Sequence, residues 1–131
     1  MIICKSAAEI EKLRRSGRMV REILEEMRAT VRPGMSTLDL EEIAAGRVRD
    51  LGVEPAFKGY RGYPCCLCAS VNQEIVHGIP SKRVLQSGDI VSLDMGVIVD
   101  GYYGDSALTV PVGEISEPLR RLLSVTEESL R

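Results

Sequence analysis

An α+β fold, two helices packed on an antiparallel sheet, is predicted by three features of this 131-residue sequence. Apolar residues recur with helical period as far as Gly52. They alternate with strand period in "DIVSLDMGVIVDGYYGDSALTV". An Asp-Gly pair in the middle of that run marks a hairpin turn.

The first helix is read in "SAAEIEKLRRSGRMVREILEEM". Ser6 and Glu9 have capping-box spacing, and Ile10, Leu13, Val20, Ile23, Leu24 and Met27 fall on one face. "RPG" at Arg32 to Gly34 stops it, because Pro33 lacks an N–H donor and Gly34 accepts positive φ. Ser36 or Thr37 caps a second helix whose stripe is Leu40, Ile43, Ala44 and Leu51, with Gly52 placed as its C-terminal glycine.

"PAFKGYRGYP", from Pro55 to Pro64, sets Gly59 and Gly62 among Phe57, Tyr60 and Tyr63 and reads as a shaped loop. "LCASVNQEIVHGIP" reads as two short strands joined at "NQE", and "QSGD" (Gln86 to Asp89) as a turn into the hairpin. After "VGEISEP", Leu119, Leu122, Leu123 and Leu130 have roughly helical spacing. Residues 1–131 are expected to form one domain, with no internal repeat or low-complexity segment.

Seventeen basic against 19 acidic side chains give a formal charge of −2, with a pI near 5.5. That balance supplies no field to gather nucleic acid or an anionic membrane. No apolar run is long enough to span a bilayer, and the charged N-terminal segment lacks a secretory core. Cys4, Cys65, Cys66 and Cys68 do not resemble a disulfide framework, so a reducing cytoplasm with free thiols is expected.

The chemistry begins with Asp94 and Asp105. In "DIVSLDMGVIV" the odd positions Val91 to Val99 are apolar, which puts Asp94 on the opposite face. A two-residue turn at Asp100 and Gly101 pairs Val99 with Tyr102, Gly96 with Asp105 and Asp94 with Ala107. The two carboxylates are then diagonal neighbours, about 7–8 Å apart at the backbone. No Lys or Arg in either strand neutralises them, and Gly96, Gly104 and Ala107 leave room for a divalent cation. Solvated acids on an outer sheet face are the competing reading.

His77, the only histidine, ends a short apolar strand, either as a packed ring or as an imidazole aimed into a cleft as donor or acid/base. Cys65 and Cys68 have C-x-x-C spacing, but nothing nearby completes a zinc tetrahedron, and packing thiols suit them better. Tyr60 and Tyr63 can serve as lids on a core.

The runs "KSAAEIEKLRRSGRMV", "VRPGMSTLDLEEIA", "GYRGYPCCLCASVNQEIVHGIP" and "SGDIVSLDMGVIVDGYYGDSALTVPVG", in that order, resemble the bacterial type I methionine aminopeptidases. The absence of a Cys- and His-rich N-terminal extension is similar to the short bacterial form.

The resemblance implies the pita-bread fold, two pseudo-symmetric halves around two divalent ions (Co, Mn, Fe or Zn), of which this chain would supply the N-terminal half. It implies that Asp94 chelates one ion, Asp105 bridges both, and His77 bonds the substrate near the scissile amide. Tyr60, Tyr63, Cys68 and, less directly, Phe57 would line the pocket for the methionine side chain. The activity implied is metal-dependent removal of the initiator methionine from peptide or nascent-chain N-termini, with the ribosome as a further partner. The family's remaining ligands, one histidine and two glutamates, and its general-base glutamate have no counterpart in these 131 residues, so negligible activity is expected of the chain alone.

Three accounts follow: half of a larger enzyme, a noncatalytic module holding peptide N-termini, or a homodimer placing two halves about a two-fold axis. Self-association through an uncovered sheet is expected. A proline-specific dipeptidase or creatinase-like hydrolase is the rival within the fold, and "GYRGYP" and "HGIP" favour the methionine enzyme.

Overall fold

The computed structural model describes residues 2–130; Met1 and Arg131, included in the one-domain expectation, lie outside them. Helix α1 (Ala7–Thr30) opens with the expected capping box: the Ser6 hydroxyl accepts from the Glu9 N–H, and the Glu9 carboxylate accepts from the Ser6 N–H at 2.8 Å. Val20, Ile23, Leu24 and Met27 are buried, whereas Ile10 is 44% exposed. The stripe fails there because α1 crosses the sheet's end at Lys12 to Ser16, where Lys12 sits over the Tyr102 ring and the Ser16 hydroxyl donates to the Tyr102 carbonyl.

Ser36 caps α2 (Thr37–Leu51) with a second capping box, closed by Asp39, and Gly52 ends the helix in the left-handed conformation at φ 63°. Arg47 of α2 ties the helices together through Glu22 and Glu26 of α1 at 2.9 and 2.8 Å. Both helices cover one face of the sheet.

That sheet is built around β3 (Ile90–Val99), which pairs antiparallel along its whole length with β4 (Tyr102–Pro111). On its other edge β3 takes first the two-residue β1 (Glu54–Pro55) and then β2 (Leu67–Val71). The hairpin register is the expected one, with Val99 opposite Tyr102, Gly96 opposite Asp105 and Asp94 opposite Ala107. Asp100 and Gly101 both have positive φ, as a type I′ turn requires. Val91, Leu93, Met95 and Val97 point into the core with Leu67, Val71, Ile23 and Leu40.

Two expectations need correction. The second strand within "EIVHGIP" does not form: the chain leaves β2 at Val71, Ile75 and Val76 are exposed, and His77 has a φ of 61° that no strand tolerates. Instead the segment returns to β2 at a single point, Gly78. Its carbonyl accepts from the Ala69 N–H at 2.8 Å, and its N–H donates to the Ser70 hydroxyl.

Gly104 was expected beside the carboxylates, but it lies on the helix face. A Cβ there would stand 2.5 Å from the Ser16 carbonyl carbon, so this glycine lets α1 approach β4. The C-terminal helix forms as α3 (Glu117–Glu128), with no residue fully buried.

Candidate active site

Strand alternation decides which side chains meet on the face away from the helices. Register places Cys68 of β2 directly opposite Asp94 of β3, and Asp105 of β4 opposite Gly96. Asp94 is therefore flanked by a thiol on one side and, diagonally, by a carboxylate on the other. Gly96 lets the loop after β1 settle onto this face: a Cβ there would stand 2.9 Å from the Ala56 Cβ and 3.1 Å from the Phe57 ring.

The loop between β1 and β2 forms one wall. Tyr60–Gly62 make a single 3-10 turn between glycines of positive φ at 59 and 62, and Arg61 itself has a φ of 48° with its guanidinium 5.5 Å from the Tyr60 ring centre. The His77 turn adjoins this wall, with the Tyr63 hydroxyl 3.2 Å from the Gly78 carbonyl. All seven expected site residues, Phe57, Tyr60, Tyr63, Cys68, His77, Asp94 and Asp105, line one cleft of about 830 Å³. This is the range of small-molecule sites, and the lining mixes aromatic rings with a few convergent polar groups.

Electrostatics differ between the acids. Asp94 is partly buried and Asp105 exposed. Burial pushes the Asp94 carboxyl upward, the Asp105 charge adds to the rise, and His77 opposes it. Among the ion pairs of the described residues neither acid takes part, so the pair is unneutralised. Two such oxygen donors fit a divalent ion, but among the described residues no group of three or more His, Cys, Asp or Glu side chains converges to complete a coordination shell.

Burial raises the thiols of the three clustered cysteines, Cys65, Cys66 and Cys68. Burial raises Cys68, partly offset by its hydrogen bond with Tyr63, and burial with the Glu41 charge pushes Cys66 up to about 11. All four cysteines are free; Cys66 and Cys68 are buried and Cys4 is exposed. Burial and the Cys68 contact hold the Tyr63 hydroxyl in its protonated form, and it reaches the Leu67 and Gly78 carbonyls at 2.9 and 3.2 Å. His77 is exposed along the cleft rather than packed in the core.

Sequence reasoning missed four residues. Tyr103, Arg61 and Ile79 also line the cleft, and Tyr103 could have been found, since it shares strand parity with Asp105. Glu41 gives no such signal. It is buried on α2, and its carboxylate accepts from the Cys66 and Leu67 N–H groups at 2.9 Å each, fixing the start of β2.

Comparison with known proteins agrees with this architecture. The chain is 50% identical over 130 residues to methionine aminopeptidase 1 of Bacillus subtilis, covering 99% of this chain and 52% of that protein. It is 47% identical to the methionine aminopeptidase of Helicobacter pylori, covering 98% of this chain and 51% of that one. Among solved structures, methionine aminopeptidase from Rickettsia prowazekii superposes with a TM-score of 0.95 at 33% identity, over 98% of this chain and 52% of that one. Aminopeptidase P from Escherichia coli follows with a TM-score of 0.82 at 26% identity, over 96% of this chain and 28% of that one.

The chain thus has the pita-bread fold and spans about half the length of the curated relatives it matches. Similarity is greater to the methionine aminopeptidases than to aminopeptidase P. The model of metallopeptidase family M24 matches residues 11–131, and the chain belongs to that family.

Proposed function

We propose that this chain carries one side of a methionine aminopeptidase site, in which an N-terminal methionine is cut from a peptide or nascent chain. The observation that supports it most is the convergence of an unneutralised carboxylate pair, the lone histidine and an aromatic-and-thiol wall on one cleft. Asp94 and Asp105 would hold the divalent ions, Co, Mn, Fe or Zn, since a carboxylate set discriminates little among them. When bound, such ions supply Lewis-acid polarisation of the scissile carbonyl and an acidified water.

The chain's own groups do the rest. Phe57, Tyr60, Tyr63 and Cys68 form a soft apolar slot suited to a thioether. His77, exposed at the rim, donates a hydrogen bond to the amide that follows the methionine. Two carboxylates alone hold metal weakly, so the remaining donors come from polypeptide equivalent to the other half of the relatives. A cytoplasmic setting, with nascent chains leaving the ribosome as substrate, accords with this reading. No helix among the described residues is long and apolar enough to cross a membrane.

The test is calorimetric titration of the 131-residue chain with Mn²⁺, beside hydrolysis of a Met-Ala-Ser peptide. Weak Mn²⁺ binding that Asp105→Asn abolishes, with no methionine released, is expected. Absence of binding, or binding indifferent to both Asp94→Asn and Asp105→Asn, overturns the metal assignment. Release of methionine by the chain alone shows instead that two copies assemble a working site.

A further inference from the structure

Leu67, the first residue of β2, is gripped on both sides of its backbone. Its N–H donates to the Glu41 carboxylate at 2.9 Å, as does the N–H of Cys66 before it. Its carbonyl accepts from the Tyr63 hydroxyl at 2.9 Å, and that hydroxyl also stands 3.2 Å from the Gly78 carbonyl. The hydroxyl therefore bridges two chain segments that no regular strand pairing joins.

The segment held this way is under constraint. His77 has a positive φ of 61°, costly for a residue with a side chain, and persists only where surrounding structure imposes it. Gly78 is pressed onto β2 so closely that a Cβ would stand 2.4 Å from the Ala69 carbonyl oxygen. Two full hydrogen bonds hold it, from the Ala69 N–H to its carbonyl and from its own N–H to the Ser70 hydroxyl, and its carbonyl also shares the single Tyr63 proton with the Leu67 carbonyl. Glu74 anchors the start of the turn, accepting from the Val71 N–H at 2.8 Å and pairing with Arg83 at 2.9 Å, whereas Ile75 to His77 are exposed and leave the Gly78 contact to set its far end.

We propose that Glu41 and Tyr63 are positioning residues that together set the His77 turn, the carboxylate by fixing the start of β2 and the hydroxyl by joining β2 to Gly78. The proposal deepens the functional reading above, since it concerns how His77 is aimed into the same cleft. Tyr63 then has two duties, its ring in the wall and its hydroxyl in the brace. Glu41 acts at a distance, through backbone amides, and touches no substrate.

The single histidine makes the test direct, and it needs neither metal nor turnover, so it stands or falls apart from the aminopeptidase reading. Protein labelled at histidine gives one set of imidazole NMR signals, compared at fixed pH among the parent, Tyr63→Phe and Glu41→Gln. Tyr63→Phe deletes only the hydroxyl, whereas Glu41→Gln keeps one acceptor oxygen and sets an amide NH2 against a backbone N–H.

The expected result is displaced or broadened His77 signals in both variants. Amide exchange at Ala69 should rise about tenfold, as loss of one typical hydrogen bond implies, while exchange in α1 is unchanged. Unaltered His77 signals and Ala69 exchange in Tyr63→Phe overturn the brace. Changes spread equally through α1 and β4 also overturn it, because they signal general loosening. Restoration of the parent signals in Glu41→Asp, which keeps a carboxylate on a shorter side chain, further supports the carboxylate's part.

Discussion

Cys68 and Asp94 face each other across β2 and β3, and Asp105 stands diagonally beyond Asp94 on β4, so three strands contribute one group each to the cleft floor. Only the acids repel. The consequence is a carboxylate held at a cost to the fold.

Asp94 gives the first expectation. Burial, then the Asp105 charge, raise its carboxyl above the ordinary range, so the folded chain binds a proton there more readily than the unfolded one. The ionised form costs stability above the raised value, and the cost is absent below the unfolded one. Asp94→Asn should therefore melt higher than the parent at about pH 7 in a chelator, with the difference gone near pH 3. Excess Mn²⁺ should narrow or reverse the order by stabilising only the parent. Identical melting at neutral pH would show that the pair costs nothing.

Two glycines of the α1–β4 contact should respond in opposite directions. At Gly104 a Cβ would meet the Ser16 carbonyl oxygen at 2.6 Å and the Gly17 nitrogen at 2.8 Å, all backbone. Gly104→Ala should cost about 3 kcal/mol in urea unfolding, since neither element can yield cheaply. Gly17, inside α1 with nothing within 4 Å of a built Cβ, should instead gain about 0.5–1 kcal/mol as alanine. A neutral Gly104→Ala would refute the close approach.

Thiol labelling should separate the cysteines. Cys4 is exposed, whereas Cys66 is buried with its thiol raised to about 11. Near pH 8 roughly a thousandth of Cys66 is thiolate, and only thiolate reacts. Iodoacetamide followed by peptide mapping should mark Cys4 first, with Cys65, Cys66 and Cys68 far behind. Rapid loss of Cys68 would mean the cleft wall opens readily.

Self-association should be visible in sedimentation velocity. Among the described residues β4 pairs only with β3, so its other edge offers free N–H and C=O groups. Beside the cleft, Tyr103, Ile75 and Ile79 are 61%, 87% and 57% exposed. A rising sedimentation coefficient with concentration is expected; a constant monomer value rules it out.

The helices and the hairpin were legible because local chemistry decides them. Ser6 with Glu9, Ser36 before α2 and Gly52 after it each satisfy backbone groups within a few residues. The Asp100-Gly101 turn fixes register without distant help. The His77 segment was misread because Ile75 and Val76 look like strand residues, while their fate depends on the distant Tyr63 hydroxyl and a glycine contact. Glu41 was invisible for the same reason, since an acid on an amphipathic helix normally faces water. The site's membership followed from the family resemblance more than from spacing. Gly104, though, was open to correct reading, as it adjoins Asp105 and must face the other way.

The two-residue hairpin turn therefore sets the permitted length of this chain as well as its shape. One residue inserted between Val99 and Tyr102, if absorbed by sliding β4, would exchange its two faces. With the two-residue turn kept, Tyr103 would then be driven against Ser16 of α1, where only hydrogen now fits, and the bare Gly104 would replace the acid in the cleft. Length variation is thus forbidden at this tip, although it is exposed like any surface loop, and any tolerated insertion must come in pairs or be contained as a bulge.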